Sequence, residues 1–506
     1  MKKIYSLLIS FLLFSFLPLN VYGLEVTGTI TSDQSWGPGT VNVTGNLTIS
    51  ATVTISAGTQ IIVADQVMIT VTSSGSIQAQ GTDGNEIVFT AATPAVGWRG
   101  IYFDGSTSGE EISSIFQYTY FKYGNADGNV SVVEEVCGGA IYASYHSGLI
   151  FENCHFVNNK ANKDGGAARF YESDVSFVGC VFENNIANNT NYGVGGALDI
   201  NRNSDGTVMI QNCSFFNNSA YSGGAVFVEI LAELNIQGSL FANNQSNNAG
   251  ALKVGDTGTV TLLSNTFTNN SCGSSTSHTI SLSTSLAVDV QFINTIIFGN
   301  SSAGSLKNIE FNTTPSSAVF KNCLIEGGVS SISGLPSSYT WTEIMDDNPG
   351  FVAPSSGVGL AADGSAADWQ LSETSPCVNA GIEDVTGLGL PDYDLAGNTR
   401  IQQGRIDIGA LESAYVPTAS FDMPVDVDFN IWLQRDANQI VVRTDDMIRF
   451  SGALYDITGS IVEDKRNRLY QDQLTFPVSG LRKGIYVVTL YGRSGEVLSL
   501  SKIVVN

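Results

Sequence analysis

Three charged side chains have the types and the spacing to act on a carbohydrate: Arg169, Asp199 and Glu229. Each follows a glycine pair by three to five residues, so a repetitive fold would place them on neighbouring coils. Two carboxylates about 5 to 9 Å apart can cleave a glycosidic bond as acid and base, whereas a basic residue beside Ca²⁺-binding carboxylates would suit a polysaccharide lyase. The alternative is that all three are solvated surface residues without a shared role.

The composition favours the second interpretation. The 506 residues include 23 Lys and Arg against 47 Asp and Glu, which gives a formal charge of −24. Such an acidic chain would repel a polyuronate, and it is short of the basic side chains that bind nucleic acid. A binding function therefore ranks above an enzyme, although a carbohydrate-active enzyme stays the alternative.

A candidate binding face follows from the alternation of side chains after each glycine pair. Successive side chains of a strand point to opposite sides, so the residues between the apolar positions are expected to face outward. The outward set comprises Tyr142, Tyr145, His146, Arg169, Tyr171, Asp199, Asn201 and Glu229. A glycan or another surface ligand is the expected partner of this face.

A metal site has weaker support. Asp392, Asp394 and Asn398 offer the clustered oxygen atoms that Ca²⁺ prefers, but no glutamate follows at the spacing of an EF-hand. The alternative is a structural turn in which Arg400 and Asp407 form a local ion pair. His155 and His278 belong to no group of metal ligands, and no Ser/His/Asp set can be placed on a single coil. No cofactor is assigned.

The elements that must position these residues form a repeat. Phe151–Cys154–Phe156 recurs as Phe177–Cys180–Phe182, and later copies place Cys213, Ser239, Ser264-Asn265, Thr295 and Cys323 at or beside the same position, 26 to 33 residues apart. Glycine, asparagine or serine precedes that position and predicts a sharp left-handed turn. A second marker, Gly-Gly-Ala, accompanies most copies, and paired asparagines such as Asn184-Asn185 are expected to stack as hydrogen-bonded ladders.

A fixed period of this length with strand alternation predicts an all-β solenoid. We place a right-handed parallel β-helix at 24–340, with its clearest repeats at 137–330. The recurrent Cys residues are expected to stack inside it rather than to form a disulfide framework, and seven Cys cannot all pair within one chain.

Residues 1–23 have the order of a secretory signal peptide. Lys2 and Lys3 precede the apolar run 4–17, and Val21-Tyr22-Gly23 suits cleavage. The run is shorter than the ~20 residues needed to cross a bilayer, and no later stretch is apolar enough, so we expect a mature chain without a transmembrane segment.

The paired motifs resemble known surface proteins. Gly138-Gly139-Ala140-Ile141 together with Phe-x-Asn-Asn is similar to the GGAI and FxxN repeats of polymorphic outer membrane proteins, which are carried on a pectin-lyase-like β-helix. The resemblance implies a surface-displayed, adhesin-like protein. The chain differs from that family because it has no C-terminal segment resembling a membrane β-barrel.

Two further segments follow the repeats. Residues 341–415, with Asp347-Asn348-Pro349 and Asp407-Ile408-Gly409-Ala410, resemble a choice-of-anchor segment, and we expect them to cover the open strand edges of the last coil. Residues 416–506 are predicted to form a small β-sandwich.

The tail resembles the C-terminal sorting domain of the type IX secretion system. The resemblance rests on Asp456 and Gly459, then Gly484 and Tyr486, then Lys502, in three ordered motifs. It implies export through the periplasm to the bacterial cell surface or medium, recognition by the type IX machinery, and attachment of the cargo to surface lipopolysaccharide.

Overall fold

The computed structural model describes residues 23–105, 112–189, 191–201, 207–283, 289–313, 315–401, 405–413, 429–444, 450–457, 459–470, 473–492 and 497–505. The side chains of 232 and 467–469 are not part of this description. The predicted signal peptide, except for Gly23, lies outside the described residues. The chain divides into two units, Met1–Val416 and Pro417–Asn506.

The first unit contains a parallel β-helix with three long faces, and in a representative coil the chain runs through Ile141–Ser144, Leu149–Glu152 and His155–Val157. The first face consists of the second half of Gly39–Ile49 and Ile69–Thr72, Ile101–Asp104, Ile141–Ser144, Ala168–Tyr171, Leu198–Asn201, Val226–Gln237, Leu252–Leu263, Ile280–Leu282, Ile309–Phe311 and Ile332–Ser333. The second face consists of Gln34–Trp36, Thr52–Ser56, Ser76–Gln80, Ser114–Gln117, Leu149–Glu152, Val175–Val178, Thr207–Gln211, Asp289–Ile293, Ser317–Lys321 and Tyr339–Thr342, joined by the second halves of the two 12-residue strands.

The third face consists of the first half of Leu24–Ile30 (its second half pairs with the first face), the first half of Gly39–Ile49, Thr59–Val63, Ile87–Ala91, Thr119–Lys122, His155–Val157, Val181–Glu183, Ser214–Phe216, Leu240–Ala242, Thr266–Thr268, Ile296–Phe298 and Leu324–Ile325. A short fourth sheet consists of Asn125–Ala126, Lys160–Ala161, Ile186–Ala187, Ser219–Ser222, Gln245–Asn248, Ser271–Cys272 and Ser301–Ser302. Short 3₁₀ helices occur at Val133–Glu135, Gly328–Ser331 and Gly359–Ala361. The predicted all-β parallel solenoid is confirmed.

The interior is built from identical side chains stacked on successive coils. Six phenylalanines of the third face are buried in one column with neighbouring ring centroids 4.5 to 4.8 Å apart: Phe121, Phe156, Phe182, Phe215, Phe241 and Phe267. Because the strand spacing in a sheet is about 4.8 Å, residues in register must stack, and each added coil buries another ring.

The turns have the conformation that the repeat predicts. The residue before the Cys position has a left-handed backbone in all seven copies, with φ between 50° and 67°: Asn153, Gly179, Asn212, Gly238, Ser264, Asn294 and Asn322. The second glycine of the pair is required for another reason. A Cβ at Gly196 would lie 2.0 Å from the carbonyl oxygen of Gly224, so neighbouring coils approach too closely for a side chain.

An asparagine ladder runs along the solenoid through Asn159, Asn185, Asn218, Asn244, Asn270 and Asn300. At each step the side-chain Nδ2 donates to Oδ1 of the next asparagine at 2.9 to 3.0 Å and to a phenylalanine carbonyl at 2.9 Å. The backbone N–H donates to the same Oδ1 at 3.0 to 3.1 Å. The predicted stacking of asparagines is confirmed, and the ladder satisfies polar groups at a turn that water cannot reach.

All seven cysteines are free thiols and all are buried. Cys154, Cys180 and Cys213 stack inside the coils as predicted, and burial raises the pKa of Cys323 and of Cys377 to about 12. A buried thiol with a raised pKa forms little thiolate and reacts slowly.

We therefore expect no thiol of the native protein to react rapidly with Ellman's reagent, and all seven to react after unfolding in urea. The mass of the fully alkylated chain checks the count. Fewer than seven alkylated thiols in the unfolded, unreduced protein would mean that a disulfide forms after export.

The described residues 351–401 and 405–411 lie along the flank of the third face. Side-chain amides of Asn217, Asn243 and Asn269 donate to the carbonyl oxygens of Ala362, Gly357 and Ser355 at 2.7 to 3.0 Å. The expectation for this segment was a cover over the edge of the last coil. It instead packs against the flank of several coils, because their outward positions are apolar there.

Three small apolar clusters make this contact. Trp369 packs with Leu240 and Ala242, and Leu371, Cys377 and Ile408 pack with Ile296 and Leu324. Ile382 and Ile406 pack with Leu263 and Ile293. The antiparallel pair Phe351–Ala353 and Asp368–Leu371 supports the first two clusters. Outward-facing leucine and isoleucine on the third face, and at the strand ends of the second face, therefore require the segment as a cover.

The second unit is an antiparallel β-sandwich, as predicted. One sheet consists of Phe429–Gln434, Gln439–Thr444 and Gln473–Pro477, and the other of Ile461–Tyr470, Phe450–Asp456, Gly484–Tyr491 and Val497–Val505. Both sheets contribute to one core, which includes Ile440, Phe476, Leu454 and Val488. Across the described part of the chain, no helix has the length and apolar character to cross a membrane.

Candidate functional site

The outward positions of the first face form a continuous row from coil to coil. The row consists of Tyr102, Tyr142, Arg169, Asp199, Phe227, Lys253, Ser281, Glu310 and Ser333, each in register with the next. Apolar side chains between these positions fill the interior. Two sites of different character lie on this row, one covered and one open.

The covered site surrounds Arg169. Its guanidinium lies 2.7 Å from the carboxylate of Asp164, 3.1 Å from that of Asp199 and 3.0 Å from Sγ of Cys137. Val136 and Cys137 pack over Tyr142 and enclose the group. Asp199 retains only 2% exposure, so a substrate on the surface cannot reach its carboxylate.

The electrostatics of this site are those of a buried ion pair. Burial raises the pKa of Asp199, while the charge of Arg169 acts in the opposite direction. The nearby carboxylates hold the pKa of Arg169 above its usual range against the effect of burial, so the guanidinium stays charged. Oδ1 of Asp199 has no hydrogen-bond partner among the described residues. The two side chains therefore contact each other inside a closed site and are not presented to a substrate.

Of the remaining residues predicted to form the binding face, some are exposed and one is buried. Glu229 is exposed and accepts a short hydrogen bond from Nδ2 of Asn201. Tyr145 and Tyr171 meet edge to face, with ring centroids 5.4 Å apart. The prediction that His146 faces outward is wrong: its side chain is buried and its ring lies 5.1 Å from that of Phe103 in the interior. A left-handed residue at 145 turns the chain and reverses the alternation there.

The open site is a cleft of about 580 Å³ farther along the same row, which we call the Lys253–Glu310 cleft. Its lining consists of Tyr221, Asn247, Asn248, Lys253, Gly273, Ser274, Thr276, Ser277, Glu310 and Asn312. Burial lowers the pKa of Lys253, and Glu310 opposes that effect. The volume is typical of a ligand site, and the walls offer amide, hydroxyl and charged groups beside one aromatic ring.

At one end of the cleft, four side chains form a chain of polar contacts. Nε2 of His278 lies 2.9 Å from Oγ of Ser333, and Nδ1 lies 3.9 Å from Oε2 of Glu310. Ser281 donates from its hydroxyl to the same Oε2 at 3.1 Å. Sequence reasoning missed this set because it searched for a serine, a histidine and an acid on one coil, whereas these residues come from three. The signal available in the sequence was the register of Ser281, Glu310 and Ser333.

The candidate Ca²⁺ residues form a turn. The carboxylate of Asp394 accepts hydrogen bonds from the backbone N–H groups of Ala396, Asn398 and Glu412 at 2.6 to 2.9 Å. Arg400 pairs with Glu412 at 3.3 Å, not with Asp407 as the sequence suggested. Asp407 instead accepts from the backbone N–H groups of Asn379 and Ser413. Within the described ranges, no group of three His, Cys, Asp or Glu residues could hold a metal ion.

The five motif residues of the tail have structural positions. The carboxylate of Asp456 accepts from the backbone N–H of Ser460 at 3.0 Å, and Gly459 has φ of 86° in the same turn. Tyr486 donates from its hydroxyl to the carbonyl of Arg482 at 2.8 Å. Gly484 begins the strand Gly484–Tyr491, and Lys502, on the neighbouring strand Val497–Val505, is in register with Val487.

A cavity of about 510 Å³ brings part of this motif together. Asp456, Gly459 and Lys502 line it with Ile457, Ile485 and their neighbours. Three of the five motif residues are therefore placed on one surface, whereas Tyr486 belongs to the core on the other side of its strand.

Comparison with protein families matches residues 425–506. This segment is a secretion system C-terminal sorting domain. The protein is exported to the cell surface or secreted, and the sorting domain links it to the secretion machinery. Comparison with curated proteins finds no match.

Proposed function

We propose that the exported β-helix is an adhesin-like protein that binds neutral glycans in the Lys253–Glu310 cleft. The observation that supports this is the lining of the cleft, in which amide and hydroxyl groups of Asn247, Asn248 and Ser277 lie beside two charged side chains and Tyr221. Sugars are recognised by such groups, because amides and carboxylates match hydroxyls as donors and acceptors while an aromatic ring packs against C–H faces.

The charge of the chain supports a neutral ligand. At −24 the protein repels polyanionic glycans over long range, while a neutral sugar is unaffected. Retention of the exported protein on surface lipopolysaccharide through its sorting domain belongs to the same proposal.

The alternative, a lyase or glycoside hydrolase using Arg169, Asp199 and Glu229, receives less support. Arg169 and Asp199 do come together, but beneath Cys137 and Val136 and with Asp199 almost inaccessible. Acid and base residues must lie within hydrogen-bond reach of the substrate, directly or through one water molecule.

A glycan array with the exported protein tests the proposal. We expect Tyr221→Ala and Lys253→Met each to weaken binding of any neutral glycan hit by at least about 10-fold, because each removes contact or hydrogen bonding inside the cleft. Tyr192→Ala is the matched control, since Tyr192 is 78% exposed and lies outside the lining of the cleft.

Two outcomes of the glycan array would contradict the proposal. Equal binding by wild type and both cleft variants would place the ligand elsewhere on the molecule. Release of shortened glycan products, abolished by Asp199→Ala, would favour the enzyme alternative.

A further inference from the structure

His278 is a buried imidazole placed between a hydroxyl and a carboxylate. Its side chain is 3% exposed, with Nε2 at 2.9 Å from Oγ of Ser333 and Nδ1 at 3.9 Å from Oε2 of Glu310. Nδ1 has no hydrogen-bond partner among the described residues, and the carboxylate of Glu310, at 3.9 Å, lies beyond hydrogen-bond distance, so it would orient the imidazole through its charge. This order of hydroxyl, imidazole and carboxylate is the one that activates a serine as a nucleophile.

We propose that Ser333, His278 and Glu310 form a nucleophile, a base and an orienting carboxylate that hydrolyse small acyl esters at the edge of the Lys253–Glu310 cleft. The activity goes beyond binding, and it would remove acyl groups from hydroxyls of a ligand held in the cleft.

The fold positions the three residues on successive coils. Ser281, Glu310 and Ser333 are register neighbours on parallel strands, so their side chains project side by side about 4.8 Å apart. His278 lies two residues before the strand Ile280–Leu282. Its carbonyl accepts from the backbone N–H of Gly250 at 3.1 Å and from Sγ of Cys272 at 3.0 Å, which fixes the main chain beside the row.

The protonation states suit the role. Burial lowers the pKa of His278, and Lys307 acts in the same direction while Glu310 opposes it. The imidazole is therefore neutral near pH 7 and can accept a proton from Ser333. Ser281 donates to Glu310 and holds the carboxylate toward the imidazole.

Access to the nucleophile is open on the solvent side. Ser333 is exposed at the end of its strand, and Glu310 and Ser277 line the cleft beside it. The chain turns sharply after Ser333 at Gly334, where φ is 74° and a Cβ would lie 2.1 Å from the carbonyl oxygen of Phe311. Only glycine fits there, and the turn leaves the hydroxyl uncovered by the following residues.

Ester hydrolysis by these residues needs no reagent other than water. Oγ of Ser333 attacks the ester carbonyl while Nε2 of His278 takes its proton, which forms an O–C bond. The C–O bond to the alcohol then breaks, and His278 returns the proton to the leaving alcohol. Water then attacks the carbonyl of the acyl-serine while His278 takes its proton, the C–Oγ bond breaks, and His278 returns the proton to Oγ of Ser333 as the carboxylic acid leaves.

The test uses the exported protein, p-nitrophenyl acetate as substrate and a fluorophosphonate probe. We expect covalent labelling at Ser333, located by peptide mass, and at least a 100-fold lower kcat in Ser333→Ala and in His278→Gln. Glu310→Gln should lower kcat about 10-fold with little change in KM. Ser330→Ala is the control, because Ser330 is an exposed serine three residues away that bonds the carbonyl of Gly327.

Two outcomes would overturn the proposal: no labelling at Ser333 in the folded protein, or turnover retained by Ser333→Ala. Ser333 is exposed, so its loss should leave the melting temperature unchanged and keep the result interpretable. Glycan binding is measured separately on the array. Failure of the esterase therefore leaves the proposed binding function standing, and the reverse also holds.

Discussion

Replacing Asn218 with leucine should lower the free energy of unfolding by about 4 kcal/mol, since each buried polar group left without a partner costs roughly 1–3 kcal/mol. The Asn218 side chain is fully buried and bonds Asn185, Asn244 and the carbonyl of Phe182. Leucine is of similar size, so little packing is lost. The carbonyl of Phe182 and the backbone N–H of Asn185 lose their partners, and no water can replace them. Urea unfolding of the exported protein, followed by tyrosine and tryptophan fluorescence, measures the change.

Asn184→Gly is the matched control for the ladder. Asn184 precedes the buried Asn185, but its side chain is exposed and its φ is 56°, which glycine adopts freely. We expect a change of less than about 0.5 kcal/mol, as for an ordinary surface substitution. Equal stability of Asn218→Leu and wild type would show that the ladder satisfies no group that lacks an alternative partner.

The ladder and the coils are predictable from the sequence because a solenoid repeats its local physics. Each copy of Asn-Asn needs one residue with a left-handed backbone and one buried amide, and both choices are visible in every copy. The path of 351–401 and 405–411 is not predictable in this way. It depends on where outward apolar residues such as Leu240, Ile296 and Leu324 accumulate, and the period of the repeat carries no information about their cover.

In the candidate sites, too, the sequence predicts the local strand register but not the tertiary contacts. The sequence places Arg169 and Asp199 on neighbouring strands, but the loop that covers them comes from a preceding turn at Val136 and Cys137. Asp199 is therefore buried by tertiary packing, although the alternation of side chains along its strand places it on the outward side. Ser333, His278 and Glu310 are separated by 23 to 55 residues, and only the register of three coils brings them together.

The motif residues of the sorting domain differ from the two candidate sites of the β-helix, because their contacts are local in sequence. Asp456 and Gly459 build a turn within five residues, so their type and spacing already specify the local structure. Tyr486 likewise bonds the carbonyl of Arg482 only four residues away. Local motifs of this kind can be identified from sequence alone, whereas a site assembled across coils needs the register.

Arg169→Met should destabilise the β-helix by about 3 kcal/mol at pH 8, because removing one partner of a buried ion pair leaves the other charge uncompensated. The penalty should be smaller at pH 5. Burial raises the pKa of Asp199 above its ordinary value of 3.8, and loss of Arg169 raises it further. An acid whose pKa is higher in the folded chain contributes its full stability below about pH 4 and loses it as the pH rises through the folded pKa.

The double variant Arg169→Met/Asp199→Asn separates this effect from lost packing. Because Asp199 can no longer ionise, the double variant should recover most of the stability at pH 8, and only the partly exposed Asp164 remains as a carboxylate beside the missing guanidinium. Arg99→Met is the control: its pair with Glu135 spans 3.5 Å with both side chains 27% exposed, so we expect a loss of at most about 1 kcal/mol at either pH. Urea unfolding at pH 5 and pH 8 measures all three variants. A pH-independent loss in Arg169→Met would mean that Asp199 finds another partner when Arg169 is absent, which would contradict an ion pair enclosed by Cys137 and Val136.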